Sequence, residues 1–154
     1  MPETEKMALY MDVDGVLFQM KPGGRDPNLR PMASDFICWC DRLFACRWLT
    51  AWPEKNIQQL CHLIYAPVGA TWPWVAWERY KSESICFDDD FVWVDDDPMP
   101  QDEENLTMFK KRGRIQMLLQ AAPDRTRELE RIQRELERLL DAYGGQGNDD
   151  VDGA

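Results

Sequence analysis

The sequence lacks several features that mark membrane, secreted and nucleic-acid-binding proteins. No apolar run approaches the ~20 residues that a membrane-spanning helix requires, and residues 1–6 lack the basic and then apolar order of a secretory signal. Positive charge is scarce: 18 lysines and arginines stand against 28 aspartates and glutamates, for a net charge of −10. We therefore expect a cytoplasmic protein that stays off membranes, with a surface that repels nucleic acid in general.

Paired cysteine motifs of the Cys-x-x-Cys kind are also missing. The five cysteines are an odd number in a chain large enough to fold without disulfides. Cys38 and Cys40 would lie on different faces of a helix, so they do not form a zinc knuckle. Reduced thiols that pack as small hydrophobes are expected. His62, the only histidine, lies beside a helical core stripe and is predicted to be structural.

Short apolar runs and helical patterns alternate along the chain. The predicted strands are residues 8–14, 47–50, 91–94 and 114–119. Helices are predicted from Ser34 to about residue 46, from Pro53 over the next three turns, and around Trp74, Trp77 and Tyr80. A last helix begins at Asp124 and is closed by Gly144.

The alternation of strands and helices predicts one three-layer α/β domain of the Rossmann-like type, with a short central parallel sheet. The domain is expected to cover residues 1–143, with a flap rich in proline and glycine at about 15–33. Residues 144–154 are acidic and glycine-rich and are predicted to form a disordered tail. In such a sheet, ligands bind at the carboxyl ends of the strands.

Polar side chains of the kinds that phosphoryl chemistry requires follow three of the predicted strands. The first strand runs into Asp-Val-Asp-Gly-Val-Leu, the second ends at a threonine, and the third ends in three aspartates, with a lysine between the second and the third. The residues concerned are Asp12, Asp14, Thr50, Lys81, Asp95 and Asp96.

In order and chemistry, this set resembles the four motifs of the haloacid dehalogenase (HAD) superfamily, and most closely the small members without a large cap. The resemblance implies a magnesium-dependent phosphatase, a hydrolase acting on phosphate monoesters. Asp12 would attack phosphorus and Asp14 would serve as acid and base, while Thr50 and Lys81 would hold the phosphoryl group. Mg²⁺ would bind Asp12, Asp95 and the backbone carbonyl of Asp14, with Asp96 bound directly or through water.

Other interpretations of the acidic first motif are a solvated turn and a calcium loop. An EF-hand that begins at Asp12 would need oxygen ligands at positions 16 and 23 and glycine at position 17. The chain has Val16, Gly23 and Leu17 there, which excludes that loop.

The alternatives for function share the same residues: a nucleic-acid end phosphatase, a phosphotransferase, or an inert interaction protein with the HAD fold. The flap carries Lys21, Arg25 and Arg30 against Asp26. This local positive charge suggests contact with the non-reacting part of a large anionic phosphorylated substrate, a nucleic-acid end among the candidates. The basic residues 110–114 precede a strand and are expected at the opposite edge of the sheet from the acids. The last helix predicts either docking on the sheet of a monomer or a weak dimer.

Overall fold

The computed structural model describes residues 6–21 and 27–152, with side chains up to residue 144. The strands are β1 Ala8–Met11, β2 Phe18–Gln19, β3 Asn28–Leu29, β4 Ala45–Trp48, β5 Phe91–Asp95 and β6 Gln116–Gln120. The helices are α1 Ala33–Leu43, α2 Glu54–Leu63, α3 Pro100–Phe109 and α4 Glu128–Asp152, and short 3₁₀ turns cover Pro67–Thr71 and Lys81–Ser84.

Four strands form one parallel sheet in the order β4-β1-β5-β6. All four correspond to predicted strands, with ends shifted by a few residues. The central strands β1 and β5 are buried along their whole length, as expected for a parallel sheet that is covered on both faces. The predicted α/β fold class is therefore confirmed.

Side chains of the central strands alternate between two separate cores, because successive residues of a strand point to opposite faces. Leu9 and Met11 lie in the larger core, which α1, α2 and α4 cover. Tyr10 and Trp93 lie in the smaller one, which the irregular segment 75–87 and Leu106 of α3 cover. The layer that covers the smaller core is thus thinner than the layer of helices on the opposite face.

Segment 72–80 is extended or irregular, so the helix predicted around Trp74, Trp77 and Tyr80 is wrong. The segment instead forms hydrogen bonds with the backbone groups on the outer edge of β4. Trp48 donates its backbone N–H to the carbonyl of Pro73 (2.8 Å), and Val75 donates to the carbonyl of Trp48 (2.9 Å). Backbone groups on an exposed strand edge need such partners, and this tertiary pairing overrides the helical spacing of the tryptophans.

Helix α3 was not predicted, because its acidic residues 102–104 resemble a solvated loop. Two local signals for its start are nevertheless present: Pro100 stands in the first turn, and Asp102 and Glu103 follow it. Asp102 is also not solvated, since its side chain is only 2% exposed.

The apolar stripe of α4 docks on the larger core, where Leu129, Ile132 and Leu136 are buried. The backbone of α4 is helical to Asp152, beyond the end predicted at Gly144. Residues 153–154 of the predicted tail lie outside the described part of the chain, and the division at residue 144 stays a prediction. Dimerisation through α4 also stays a prediction. Among the described residues, no helix is long and apolar enough to cross a membrane.

Candidate active site

Asp12 and Asp95 meet at the carboxyl end of the sheet because their strands are parallel neighbours. Met11 pairs with Val94, and the backbone N–H of Asp12 continues the ladder to the carbonyl of Val94 at 3.0 Å. Both carboxylates are buried, with Asp12 6% and Asp95 1% exposed. The predicted convergence of the first and last acidic motifs is therefore present in the structure.

Lys81 bridges these two carboxylates. Its Nζ lies 3.1 Å from Oδ2 of Asp12 and 2.7 Å from Oδ2 of Asp95. Burial works against a charged lysine, but the two aspartates outweigh it and raise the pKa of the Lys81 ammonium. The amine is thus held protonated between the ends of β1 and β5.

Asp96 adds a third carboxylate to the same cluster. One oxygen from each of Asp12, Asp95 and Asp96 lies within 4.8 Å of the other two. Burial, followed by the charges of Asp12 and Asp95, raises the pKa of Asp96 to about 7. Burial and Asp95 likewise raise the pKa of Asp12, against Lys81 and a hydrogen bond from Thr50. Among the described residues, the Lys81 ammonium is the one cation that pairs with these carboxylates, so it balances the charge of the cluster only in part.

Gly15 allows the loop after β1 to pass close to Asp96. Its φ is +78°, which L side chains rarely adopt, and an added Cβ would overlap the carboxylate of Asp96. The glycine of the first motif is therefore required by geometry at this position.

Asp14 has a different setting from Asp12, because it is exposed to solvent at the mouth of the site. Its Oδ1 accepts a hydrogen bond of 3.0 Å from Nε1 of Trp52. The Trp52 ring stacks on Phe18 of β2, with ring centroids 5.5 Å apart. Asp14 is therefore an exposed carboxylate with one oxygen engaged by an indole N–H.

Thr50 lies two residues beyond the end of β4 and is buried. Its hydroxyl contributes a hydrogen bond to Asp12 and also accepts the backbone N–H of Trp52 at 3.2 Å. Two more indoles hold the loop 50–52. Trp77 donates to the carbonyl of Thr50 (2.8 Å), and Trp74 donates to the carbonyl of Trp52 (3.0 Å).

These side chains surround an open cavity of about 290 Å³ at the carboxyl end of the sheet. All six sequence-predicted residues lie in or beside it, and Trp77 and Asp102 complete its wall. Sequence reasoning missed the two tryptophans that contact the site, Trp52 and Trp77, and also Asp102. The bond between Trp52 and Asp14 joins residues 38 positions apart, so no local pattern could have revealed it.

Arg30 is buried, which corrects its expected place on the positively charged surface of the flap; Lys21 is exposed, and its role and that of Arg25 stay a prediction. The Arg30 side chain is 2% exposed and donates to backbone carbonyls on both sides of it. The acceptors are Gly15 (3.3 Å), Val16 (2.9 Å), Ala122 (3.3 Å), Pro123 (3.2 Å) and Arg125. Arg30 thus joins the loop after β1 to the loop after β6. Arg25 and Asp26 lie outside the described residues.

The basic residues 110–114 precede β6 at the far edge of the sheet, as expected. Lys111 forms an ion pair with Asp88, and Arg114 lies 3.8 Å from Asp90. These cations are partly balanced by acidic neighbours, which favours a structural role over phosphate binding. None of the five cysteines, all of which lie among the described residues, forms a disulfide; Cys40, Cys46 and Cys61 are buried as expected, whereas Cys86 is exposed.

Comparison with known proteins gives a likeness of fold. No protein-family model matches the chain, and no curated protein matches it. Among solved structures, the chain resembles Fcp1, an essential RNA polymerase II CTD phosphatase, with a TM-score of 0.58 and 15% sequence identity. The match covers 94% of this chain and 64% of that one, so the chain spans less than two thirds of that structure. At this level of identity the likeness is one of fold alone, and it agrees with the HAD-like fold that the sequence motifs imply.

Proposed function

We propose that the protein is a metal-dependent phosphohydrolase that releases phosphate from a phosphate monoester through a covalent intermediate on Asp12. The observation that carries the proposal is the cluster at the end of β1 and β5, where Lys81 bridges Asp12 and Asp95 with Asp96 beside them. Perturbed carboxylates that converge in a cavity are typical of catalytic sites.

The cluster suits a divalent cation. Carboxylate oxygens are the ligands that Mg²⁺ prefers, and three of them converge here with the Lys81 ammonium to oppose part of their charge. Asp12, Asp95, Asp96 and the backbone carbonyl of Asp14 would hold the ion. Bound Mg²⁺ would neutralise charge on the phosphate and allow the approach of a carboxylate.

In the first step, a carboxylate oxygen of Asp12 forms a bond to phosphorus as the bond from phosphorus to the ester oxygen breaks. Asp14 gives its proton to the departing oxygen. Lys81 and Thr50 stabilise the phosphoryl oxygens by charge and hydrogen bonding. Asp14 suits the proton transfer because it lies at the exposed mouth, where the leaving group exits.

In the second step, Asp14 takes a proton from water, and the water oxygen attacks phosphorus. The bond between phosphorus and Asp12 breaks, inorganic phosphate leaves, and both aspartates return to their starting states. An alcohol in place of water would make the protein a phosphotransferase, which remains an alternative with the same residues.

The test is hydrolysis of an aryl phosphate by the purified protein with Mg²⁺ and with chelator, in wild type and in Asp12→Asn. We expect hydrolysis only by wild type in the presence of Mg²⁺. Asp12→Asn should be inactive, because an amide does not attack phosphorus. Asp89→Asn, which removes one exposed carboxylate at the far edge of the sheet, is the matched control and should keep full activity.

A folded Asp12→Asn variant with wild-type activity would exclude Asp12 as the nucleophile, and full activity in chelator would exclude a required metal ion.

Substrate size forms part of the same proposal. The described flap residues contribute only the hairpin β2–β3, so we expect an open site that accepts large phosphorylated substrates. Comparing kcat/KM for a mononucleotide and a phosphate-ended oligonucleotide checks this expectation.

A further inference from the structure

Lys81 lies in a part of the chain that provides little regular structure to hold it. Between α2 and β5 the backbone forms only two short 3₁₀ turns, Pro67–Thr71 and Lys81–Ser84. Lysine has a flexible four-carbon side chain, yet its Nζ reaches two carboxylates at once. Something outside this segment must therefore fix the Lys81 backbone.

The neighbouring residue, Ser82, is fixed by Asp102 of α3. Oδ1 of Asp102 accepts the backbone N–H of Ser82 at 3.0 Å and its hydroxyl at 2.7 Å. Oδ2 accepts the backbone N–H of Met99 at 3.0 Å. Asn105, one turn further along α3, donates to the Ser82 hydroxyl at 2.9 Å. Both Ser82 and Asp102 are almost fully buried.

The chemistry of this contact calls for a carboxylate. All three donors to Asp102 are uncharged, and a buried carboxylate is costly unless its hydrogen bonds are satisfied. A neutral aliphatic side chain would avoid that cost but would leave the N–H of Ser82 without its partner. An amide has one acceptor oxygen, so it cannot hold both Ser82 and Met99 in this geometry. The charge therefore serves to join two backbone segments.

The two segments belong to different parts of the proposed machinery. Helix α3 begins four residues after Asp96, and the 3₁₀ turn begins at Lys81. We propose that Asp102 is a positioning residue, which sets the Lys81 ammonium between Asp12 and Asp95 by holding the backbone of Ser82 against α3. The kinetic part of this inference rests on the proposed phosphohydrolase function.

A double-mutant cycle tests the inference through activity. We expect Asp102→Asn to lower kcat about 10- to 100-fold, the scale of a small misplacement of a catalytic group, with a lesser change in KM. In a Lys81→Met background, Asp102→Asn should not lower kcat further, because the ammonium that Asp102 positions is already absent. Additive losses would overturn the inference. Glu103→Gln, an exposed charge loss on the same helix, is the control and should match wild type.

A second readout does not depend on activity. The rate at which an amine-directed reagent labels Lys81 is measured by mass spectrometry, with exposed Lys110 as the internal reference. We expect severalfold faster labelling of Lys81 in Asp102→Asn and unchanged labelling of Lys110. Unchanged labelling at both lysines would refute the positioning role, even if wild type proves inactive and the proposed function fails. Should Asp102→Asn not fold, Ser82→Ala replaces it in both measurements. This variant keeps the backbone bond to Asp102 but removes the hydroxyl's bonds with Asp102 and Asn105, so we expect smaller changes in the same direction, and no change in either measurement would refute the positioning role.

Discussion

At the scale of single residues, Asp12 and Asp14 have the same side chain but different environments. Asp12 is buried beside Lys81, Thr50 and Asp95, whereas Asp14 is exposed and has one oxygen bonded to Trp52. A nucleophile benefits from a fixed, buried position. An acid and base needs contact with the leaving group and with water. The difference in environment supports the proposed division of roles.

The bond from Trp52 to Asp14 gives a prediction about leaving groups. Trp52→Phe keeps the stacking surface on Phe18 but removes the N–H donor, so Asp14 loses the contact that orients it. We expect kcat/KM for alkyl phosphates to fall about two- to tenfold, the scale of one hydrogen bond. Aryl phosphates should change less, because a good leaving group departs with little protonation.

The control for this prediction is Trp39→Phe on α1, where the ring packs between Phe36 and Phe44. It should leave the ratio of the two kcat/KM values unchanged. If Trp52→Phe lowers both substrates equally, Trp52 does not act through Asp14.

Six polar side chains could be predicted to meet at one edge of the sheet, because the carboxyl ends of parallel strands lie at the same edge and each strand end can be recognised locally in the sequence. Each of these residues follows an apolar run or lies between two such runs. Five of them line the cavity, and Thr50 joins them through its hydrogen bond to Asp12. Trp52 and Asp102 could not be found in this way. Their partners, Asp14 and Ser82, are 38 and 20 positions away, and the contacts depend on how the loops pack.

At the scale of elements, strands were easier to predict than the segments that cover the smaller core. The strands have short, continuous apolar runs, whereas segment 72–80 is held by pairing with the edge of β4. Helix α3 has only a weak apolar face, so the sequence marks it only through the proline and the acidic residues of its first turn. In segment 72–80, pairing with β4 outweighs the helical spacing of the tryptophans. In α3, the acidic residues 102–104 resemble those of a solvated loop, so the helix was not predicted.

The start of α4 gives a prediction about pH. Glu128 is fully buried and accepts hydrogen bonds from the backbone N–H of Ala122 and from the Arg131 side chain (2.6 and 2.7 Å). Burial opposes the charge, but these bonds and the nearby arginines lower the pKa of Glu128 below its usual value of 4.5. The stability it contributes is therefore complete above the unfolded pKa and is lost as pH falls through the folded one.

We expect Glu128→Gln to lower the free energy of unfolding at pH 7 by about 1–3 kcal/mol, the scale of a buried group that loses charged partners. The difference from wild type should shrink as the pH falls below about 4. Urea unfolding at several pH values measures it, with Glu137→Gln, an exposed residue of the same helix, as the control. A difference that does not change with pH would show that the Glu128 charge is not what stabilises the helix start.

At the scale of the whole molecule, negative charge is in excess and part of it is concentrated inside the fold. The net charge is −10, and the carboxylates of Asp12, Asp95 and Asp96 converge beside the Lys81 ammonium. Mutual repulsion among buried carboxylates opposes folding. A fold that keeps such a cluster is stabilised by whatever cation binds there, since binding to the native state alone adds to its stability.

This excess of charge gives a prediction about metal and stability. Mg²⁺ at 100 times its dissociation constant should stabilise the native state by about 2.7 kcal/mol, which raises the Tm of a domain of this size by roughly 5–10 °C. Thermal melting with MgCl₂ is compared with melting in NaCl at equal ionic strength, because salt also screens the general repulsion of an acidic protein. In Asp95→Asn the additional effect of MgCl₂ should largely vanish, because a ligand and a charge are lost together, whereas Asp89→Asn should respond as wild type does. If MgCl₂ and NaCl raise the Tm equally in wild type, the ion acts by screening alone, and the acidic cluster is not a metal site.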